Sequence, residues 1–467
     1  MSAMIQIDYF AQAAAFVPQG RWDQVEKLSD AGLAINSKNP GLLMLKALCF
    51  MQVGNRFRES ETYFRRAINL MPDNPEFHNN YGVLLRRSER AREAFVEFQR
   101  AVELNPRYLE ALRNLALLAW TIGENEVARV ALSTYTGLNP GDRMVTFHLA
   151  ELSLGLGALK DGWRLYQYRP NRPELAQRFS TTERFFQMAP LPKRLDGKLI
   201  TVLPEQGFGD VLFFLRYAAP LKRRGARIGY GAEQKIWRFV QDCDAVDEVF
   251  NEKSILPHLQ SAYTFFAGDL PFLSAEDDST PQSIRIPALP EKIAQARQQL
   301  AEFGPPPYIG VNWRAGNRAA PDDFLLFKTI APRLLGEALR DLNATVVSLQ
   351  RLPQPGEYEE FNEGLGRPVP NLSWVQDDFE TLMGYLAAID EIVGVSSTSV
   401  HLRAAMGLDA KVIFISPVEW RWMLEGDVSP WFPSCKVYRA QLPELRSGAM
   451  EQLQRDLADS LKARAQA

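Results

Sequence analysis

LMPDNPEFHNNYGVLLRRSERAREAFVEFQRAVE, residues 70–103, is one full period of a repeat, and the next opens at once with Leu104-Asn105-Pro106. Prolines 72, 106 and 140 recur every 34 residues, in Leu70-Met71-Pro72, Leu104-Asn105-Pro106 and Leu138-Asn139-Pro140, with a weaker copy at Ile35-Asn36-Ser37. Twelve residues beyond each Leu or Ile anchor stands a small residue (Ala47, Gly82, Ala116, Ala150), and twenty-four beyond two of them another (Ala94, Ala128). Six residues before three anchors stand Phe64, Phe98 and Leu132. Small residues let paired helices approach closely, large apolar ones fill the gap to the next pair, and proline stops the second helix. An irregular bundle has no reason to keep this register. His78 and His148 fall on these helices and receive no role.

The pattern resembles the tetratricopeptide repeat and covers about residues 6–170, some four units and a partial one. Stacked repeats present a concave surface suited to extended peptides or partner helices, so this part of the chain predicts recognition rather than chemistry.

The whole chain has 467 residues, too many for one core; 46% hydrophobic and 23% charged residues with a net charge of −3 exclude wholesale disorder. That balance gives no overall electrostatic reason to bind nucleic acid or an anionic membrane. The start, MSAMIQIDYFAQ, lacks a secretory pattern, and the most apolar stretch, Leu42 to Met51, is interrupted by Lys46 and far short of a membrane span. Cys49, Cys243 and Cys435 are scattered with no CxxC, against a disulfide framework or zinc site and in keeping with a reducing cytoplasm.

Near Gly162 the last repeat helix carries Trp163, Tyr166 and Tyr168, and residues 171–197 read as a proline-bearing connector. Beyond it strand, turn and helix alternate. Strands are expected at 198–204, 226–232 and near Val249 and Phe265; after the Gly304-Pro305-Pro306-Pro307 break, at 308–313, 344–350, 391–396 and 410–416. A helix from Val211 to about Arg223 follows the first strand. Two such series mean two Rossmann-like lobes with ligands outside the carboxyl ends of their strands. The expected class is thus α plus α/β, an α-solenoid followed by two Rossmann-like lobes, divided as 1–170 repeats, 171–197 connector, 198–304 first lobe, 305–446 second lobe and 447–467 a terminal helix.

Three clusters follow strands directly. Gly207-Phe208-Gly209-Asp210 offers a tight turn at a helix start, suited to an anion, with Asp210 either a proton acceptor or an ordinary N-cap. Trp313-Arg314-Ala315-Gly316-Asn317-Arg318 presents a guanidinium suited to phosphate or to a surface salt bridge. Ser396-Ser397-Thr398-Ser399-Val400-His401 sets four hydroxyls at a helix start, as caps or as a pyrophosphate site. The acidic pairs Asp322-Asp323 and Asp377-Asp378 lack His or Cys companions, so no metal is expected. GxxxxGK[ST] is absent and GFGD is not GxGxxG.

Together EQGFGDVLFFLRYAAPLKRRGARI, IGVNWRAGN, VVSLQ, GVSSTSVHLRAAMG, EWRWM and SPWFPSCKVYR resemble bacterial tetratricopeptide-repeat glycosyltransferases with a heptosyltransferase-like GT-B catalytic part. The resemblance covers nearly the whole chain. It implies inverting, metal-independent transfer from a nucleotide sugar held mainly by the second lobe, with no cofactor beyond that donor. It places Asp210 as general base and Ser397, Thr398, Ser399 and His401 at the donor phosphates; Gly207, Gly209, Arg314, Asn317 and Gln350 complete the expected donor-binding set. Such enzymes usually have aspartate where Ser396 stands and a basic residue in the loop after the glycine turn, which here reads Ala319-Ala320-Pro321-Asp322-Asp323 with Arg314, Arg318 and Lys328 as nearby cations. The expected partner is a protein acceptor modified on Ser or Thr in the cytoplasm. A saccharide or lipid acceptor, or a binding scaffold that has lost catalysis, are the alternatives.

Overall fold

The computed structural model describes residues 8–178, 191–205, 207–251, 263–274, 280–315, 329–415, 419–440 and 448–466. It divides into two compact units, Met1–Val145 and Thr146–Ala467.

The first unit is a stack of helix pairs. Pro40–Gln52 pairs with Phe57–Leu70, Pro75–Arg87 with Ala91–Leu104, and Leu109–Thr121 with Asn125–Leu138, after Trp22–Ile35. The second helix of each pair ends at Leu70, Leu104 or Leu138, two residues before its proline, because the residue preceding a proline is held out of the helical region. Asn39 and Asn74 cap the following helices, accepting from the amides of Leu42 (3.1 Å) and Glu76 (2.9 Å), and Pro40 and Pro75 occupy the first helical position, where no donor is needed. The small-and-large scheme is physical contact: a Cβ at Gly82 would lie 2.7 Å from the Phe98 ring. Phe64, Phe98 and Leu132 are fully buried with Ala47, Ala94, Ala116 and Ala128. His78 joins neighbouring helices, with Nδ1 2.7 Å from Glu97 and Nε2 2.8 Å from the Pro72 carbonyl.

The second unit holds two sheets. In the first, β1 (Leu199–Leu203), β2 (Arg227–Ala232), β3 (Glu248–Asn251) and β4 (Tyr263–Phe266) run parallel in the order β3-β2-β1-β4. In the second, β5 (Tyr308–Asn312), β6 (Thr345–Ser348), β7 (Glu391–Gly394), β8 (Ala410–Ile415), β9 (Val428–Ser429) and β10 (Phe432–Ala440) take the order β6-β5-β7-β8-β10-β9, all parallel except β9. Register sets Ile200 opposite Ile228 and Val311 opposite Val393, so apolar strands such as β5 are buried on both faces. Strand order reverses between β1 and β4 and between β5 and β7; in open parallel sheets these crevices, at the carboxyl ends, take ligands. The α-solenoid followed by two Rossmann-like lobes is therefore the fold.

One local expectation is corrected. The helix after β1 starts at Phe208, not Val211, and is broken into Phe208–Leu215 and Ala218–Arg223. The stretch read as a connector opens with a short helix, Arg172–Arg178.

The last repeat helices, through Leu159–Tyr166, enter the core of this second unit. Trp163, 1% exposed, meets Phe213, Tyr217, Trp420 and Trp431 with ring centroids 6.4, 5.5, 5.2 and 6.4 Å away. The following segment fills the crevice of the first sheet: fully buried Arg169 bonds Glu205, just beyond β1, and Asp269 (2.8 Å), just beyond β4. Arg172 adds a second contact to Asp269 at 3.2 Å, and Glu205 accepts the Gly268 amide at 2.7 Å.

Candidate active site

Two positions after Glu205 stands Gly207, the N-cap of helix Phe208–Leu215, which makes no side-chain cap bond. Asp210 is in the first turn of this helix and is not its N-cap. Gly209 serves a close approach rather than a turn: a Cβ there would lie 3.2 Å from the His401 ring, on helix Thr398–Ala405 of the second lobe. Gly207 has open space, the nearest atom to a Cβ there being Asp210 Oδ2 at 3.8 Å. Phe208 packs on Phe379 across the same seam, the rings tilted with centroids 4.3 Å apart.

Asp210 forms an ion pair with Arg421, which reaches it from the second lobe. The other terminal nitrogen of Arg421 lies 2.7 Å from Glu419. The Ser396 hydroxyl donates to Glu419 at 2.9 Å, accepts the Trp422 indole N–H at 3.0 Å and lies 3.4 Å from His401 Nε2. Burial opposes the charge on Arg421, but Asp210 and Glu419 outweigh it and raise its pKa. Arg216, close by, donates to the carbonyls of Trp431 (2.7 Å) and Phe213 (3.0 Å), and burial pushes its pKa down to about 10.

The hydroxyl run divides by exposure. Ser396 and Ser399 are buried, Ser397 and Thr398 half-exposed at the helix start. Ser397 is the N-cap, accepting the Val400 amide, and Ser399 accepts from Gln376, which also donates to the Leu349 carbonyl at 2.8 Å.

Arg314 and Gln350 form a separate group at the ends of β5 and β6. Gln350 Oε1 accepts the amides of Trp313 (3.0 Å) and Arg314 (2.9 Å), and its Nε2 donates to the Arg314 carbonyl at 3.1 Å. The Arg314 guanidinium donates to Glu357 (2.9 Å) and the Leu352 carbonyl (2.8 Å). Both side chains thus hold protein groups. Asn317, with Gly316, Arg318 and Lys328, lies outside the described residues.

Asp210, Gly209 and His401 are therefore brought together, with Ser397–Ser399 on the same helix as His401, while Arg314 and Gln350 stand with Glu357. Glu419 and Arg421 went unassigned in the sequence reading. Their signal was a charged pair inside the aromatic stretch EWRWM, where charge needs a buried partner. Among the described residues no group of His, Cys, Asp and Glu could hold a metal ion, and no helix is long and apolar enough to cross a membrane.

No family model matches the chain. It is 24% identical over 420 residues to Protein FlbA of Caulobacter vibrioides, a match spanning 84% of this chain and 68% of that protein. Among solved structures, MamA aligns with 38% of this chain and 99% of its own at 17% identity and TM-score 0.31. A glycosyl transferase family 9 protein from Veillonella parvula aligns with 58% of this chain and 99% of its own at 13% identity and TM-score 0.42.

Proposed function

We propose that this chain is a glycosyltransferase that moves a sugar from a nucleotide-sugar donor to a Ser or Thr hydroxyl of a protein recruited by the repeats, with inversion and without a metal. One observation carries the reading: Asp210 of the first lobe meets Arg421, Glu419 and Ser396 of the second where two parallel sheets present their carboxyl ends.

In this reading Asp210 accepts the proton of the acceptor hydroxyl as its oxygen attacks the anomeric carbon. The bond from that carbon to the donor phosphate breaks, and the nucleoside diphosphate leaves with the electron pair. The amide dipoles at the start of helix Thr398–Ala405 and the hydroxyls of Ser397 and Thr398 receive the departing charge. The proton on Asp210 then passes to solvent. In this reading the stacked repeats supply the surface for the acceptor.

Calorimetric titration with nucleoside diphosphates and nucleotide sugars in the presence of a chelator tests the donor half. Binding of one nucleotide class is expected, followed by a hexose- or heptose-sized mass gain on Ser or Thr of the captured acceptor. A flat titration across the panel overturns it. A second reading, a silent docking scaffold, draws on the charged groups of the cleft already being paired within the protein: Asp210 with Arg421, Arg314 with Glu357.

A further inference from the structure

Arg421 stands in the short turn Trp420–Trp422, one lobe away from the carboxylate it meets. Its guanidinium is buried, 4.8 Å from the ring centres of both Phe213 and Trp420. Glu419 and Asp210 take its two terminal nitrogens. The turn itself is held on every side. Ser429 donates to the Arg421 carbonyl at 2.6 Å, and Arg439 to the carbonyls of Trp422 and Met423 at 2.6 and 3.0 Å. The Leu424 amide donates to Gly155 of the last repeat at 2.8 Å. Met423 closes the turn at φ 62° and ψ 161°, a backbone conformation that residues with a Cβ rarely adopt. Strain held in place by so many bonds marks a turn whose side chain must point one way.

A helix-borne Asp210 has two oxygens and free rotation about its side-chain bonds. Arg421 occupies Oδ1, and Oδ2 lies beside the side-chain-free face of Gly207. We propose that Arg421 is a positioning residue, which fixes the Asp210 carboxylate from the opposite lobe so that Oδ2 faces the acceptor hydroxyl and the carboxylate is aligned when the two lobes are together. This rests on the transferase reading for its chemistry, but its physical content, coupling of Asp210 to Arg421 across the seam, does not.

The test is a double-mutant cycle on the full chain, Arg421→Gln and Asp210→Asn singly and together, read by amide hydrogen exchange over 207–215. Arg421→Gln is expected to speed exchange there about tenfold, and to add less than about twofold in the Asp210→Asn background. Should Arg421→Gln fail to fold, Arg421→Gln with Glu419→Gln, which removes the buried negative charge that Arg421 balances, takes its place. Additive effects, or unchanged exchange, overturn the proposal. In turnover with an active donor, Arg421→Gln should lower kcat at least about tenfold with donor KM unchanged, Arg421→Lys should recover part of it, and no further loss should appear without Asp210. Coupled exchange in a protein that turns over no donor would sink the transferase reading alone; uncoupled exchange in an active enzyme would sink this inference alone.

Discussion

Replacing Asp210 by asparagine keeps the shape of the side chain and removes its ability to take a proton. Turnover should fall ~10²-fold or more while nucleotide affinity in calorimetry stays within about twofold, since a general base contributes to the chemical step rather than to donor binding. Near-normal turnover would remove Asp210 from the mechanism. A second residue sets an acid limit. Burial pushes the Glu61 carboxyl up, but hydrogen bonds from Arg90, Tyr81 and Arg65 outweigh it and hold it at about 2. A depressed carboxyl contributes stability that is complete above its unfolded value near 4.5 and is lost as pH falls toward about 2. Denaturant unfolding between those values should show an acid loss smaller in Glu61→Gln than in the unaltered chain by about 1 kcal/mol, a partly exposed pair being screened by solvent. At this scale the sequence was informative where position relative to a strand decides placement: Asp210 falls in the first turn of the helix after β1 and Ser397 caps the helix after β7. It was silent where a partner comes from far along the chain: Arg421 is 211 residues from Asp210. Glu357 likewise meets Arg314 through a turn whose path the residues alone do not specify.

Helix pairs here are spaced by single atoms. Phe98 fills the hollow over Gly82, so Phe98→Ala should open a cavity and cost about 3–5 kcal/mol of unfolding free energy in a denaturant titration. In the second lobe, Pro332–Leu339 and Glu357–Leu365 touch backbone to backbone. A Cβ at Gly364 would lie 2.2 Å from the Arg333 carbonyl oxygen, and one at Gly336 2.5 Å from that of Phe361. Gly364→Ala should therefore destabilise by about 3 kcal/mol, the upper end for overpacking, and a shift in melting temperature of less than a degree would refute the close crossing. The repeat register was legible because each position is constrained by a neighbour one period away. All eight expected strands are present, since buried parallel strands read as apolar runs. Strand β10, FPSCKVYRA, escaped because serine, lysine and arginine interrupt it; it lies one place from the sheet edge, where such residues find solvent or partners.

The second unit contains its own share of repeat. A fragment spanning 146–467 keeps Leu154, Leu159, Trp163 and Tyr166 in the core and should unfold cooperatively. One spanning 171–467 strips the aromatic faces of Phe213, Trp420 and Trp431 and should aggregate, and within the full chain Trp163→Ala should cost about 3–5 kcal/mol. Equal solubility of the two fragments would contradict this packing. Of the aromatic run, Trp163 and Tyr166 are buried and Tyr168 is exposed; their partners, like the insertion of Arg169 between Glu205 and Asp269, depend on a crevice that exists once both sheets have formed. There is a historical corollary. Arrays of this kind lengthen and shorten by duplicating or losing whole 34-residue units. A duplication downstream of Val145 would drive an extra hairpin into a finished interior. Descendants of this chain should therefore gain and lose units upstream alone, and their repeats are properly counted backwards, from the unit that cannot be spared.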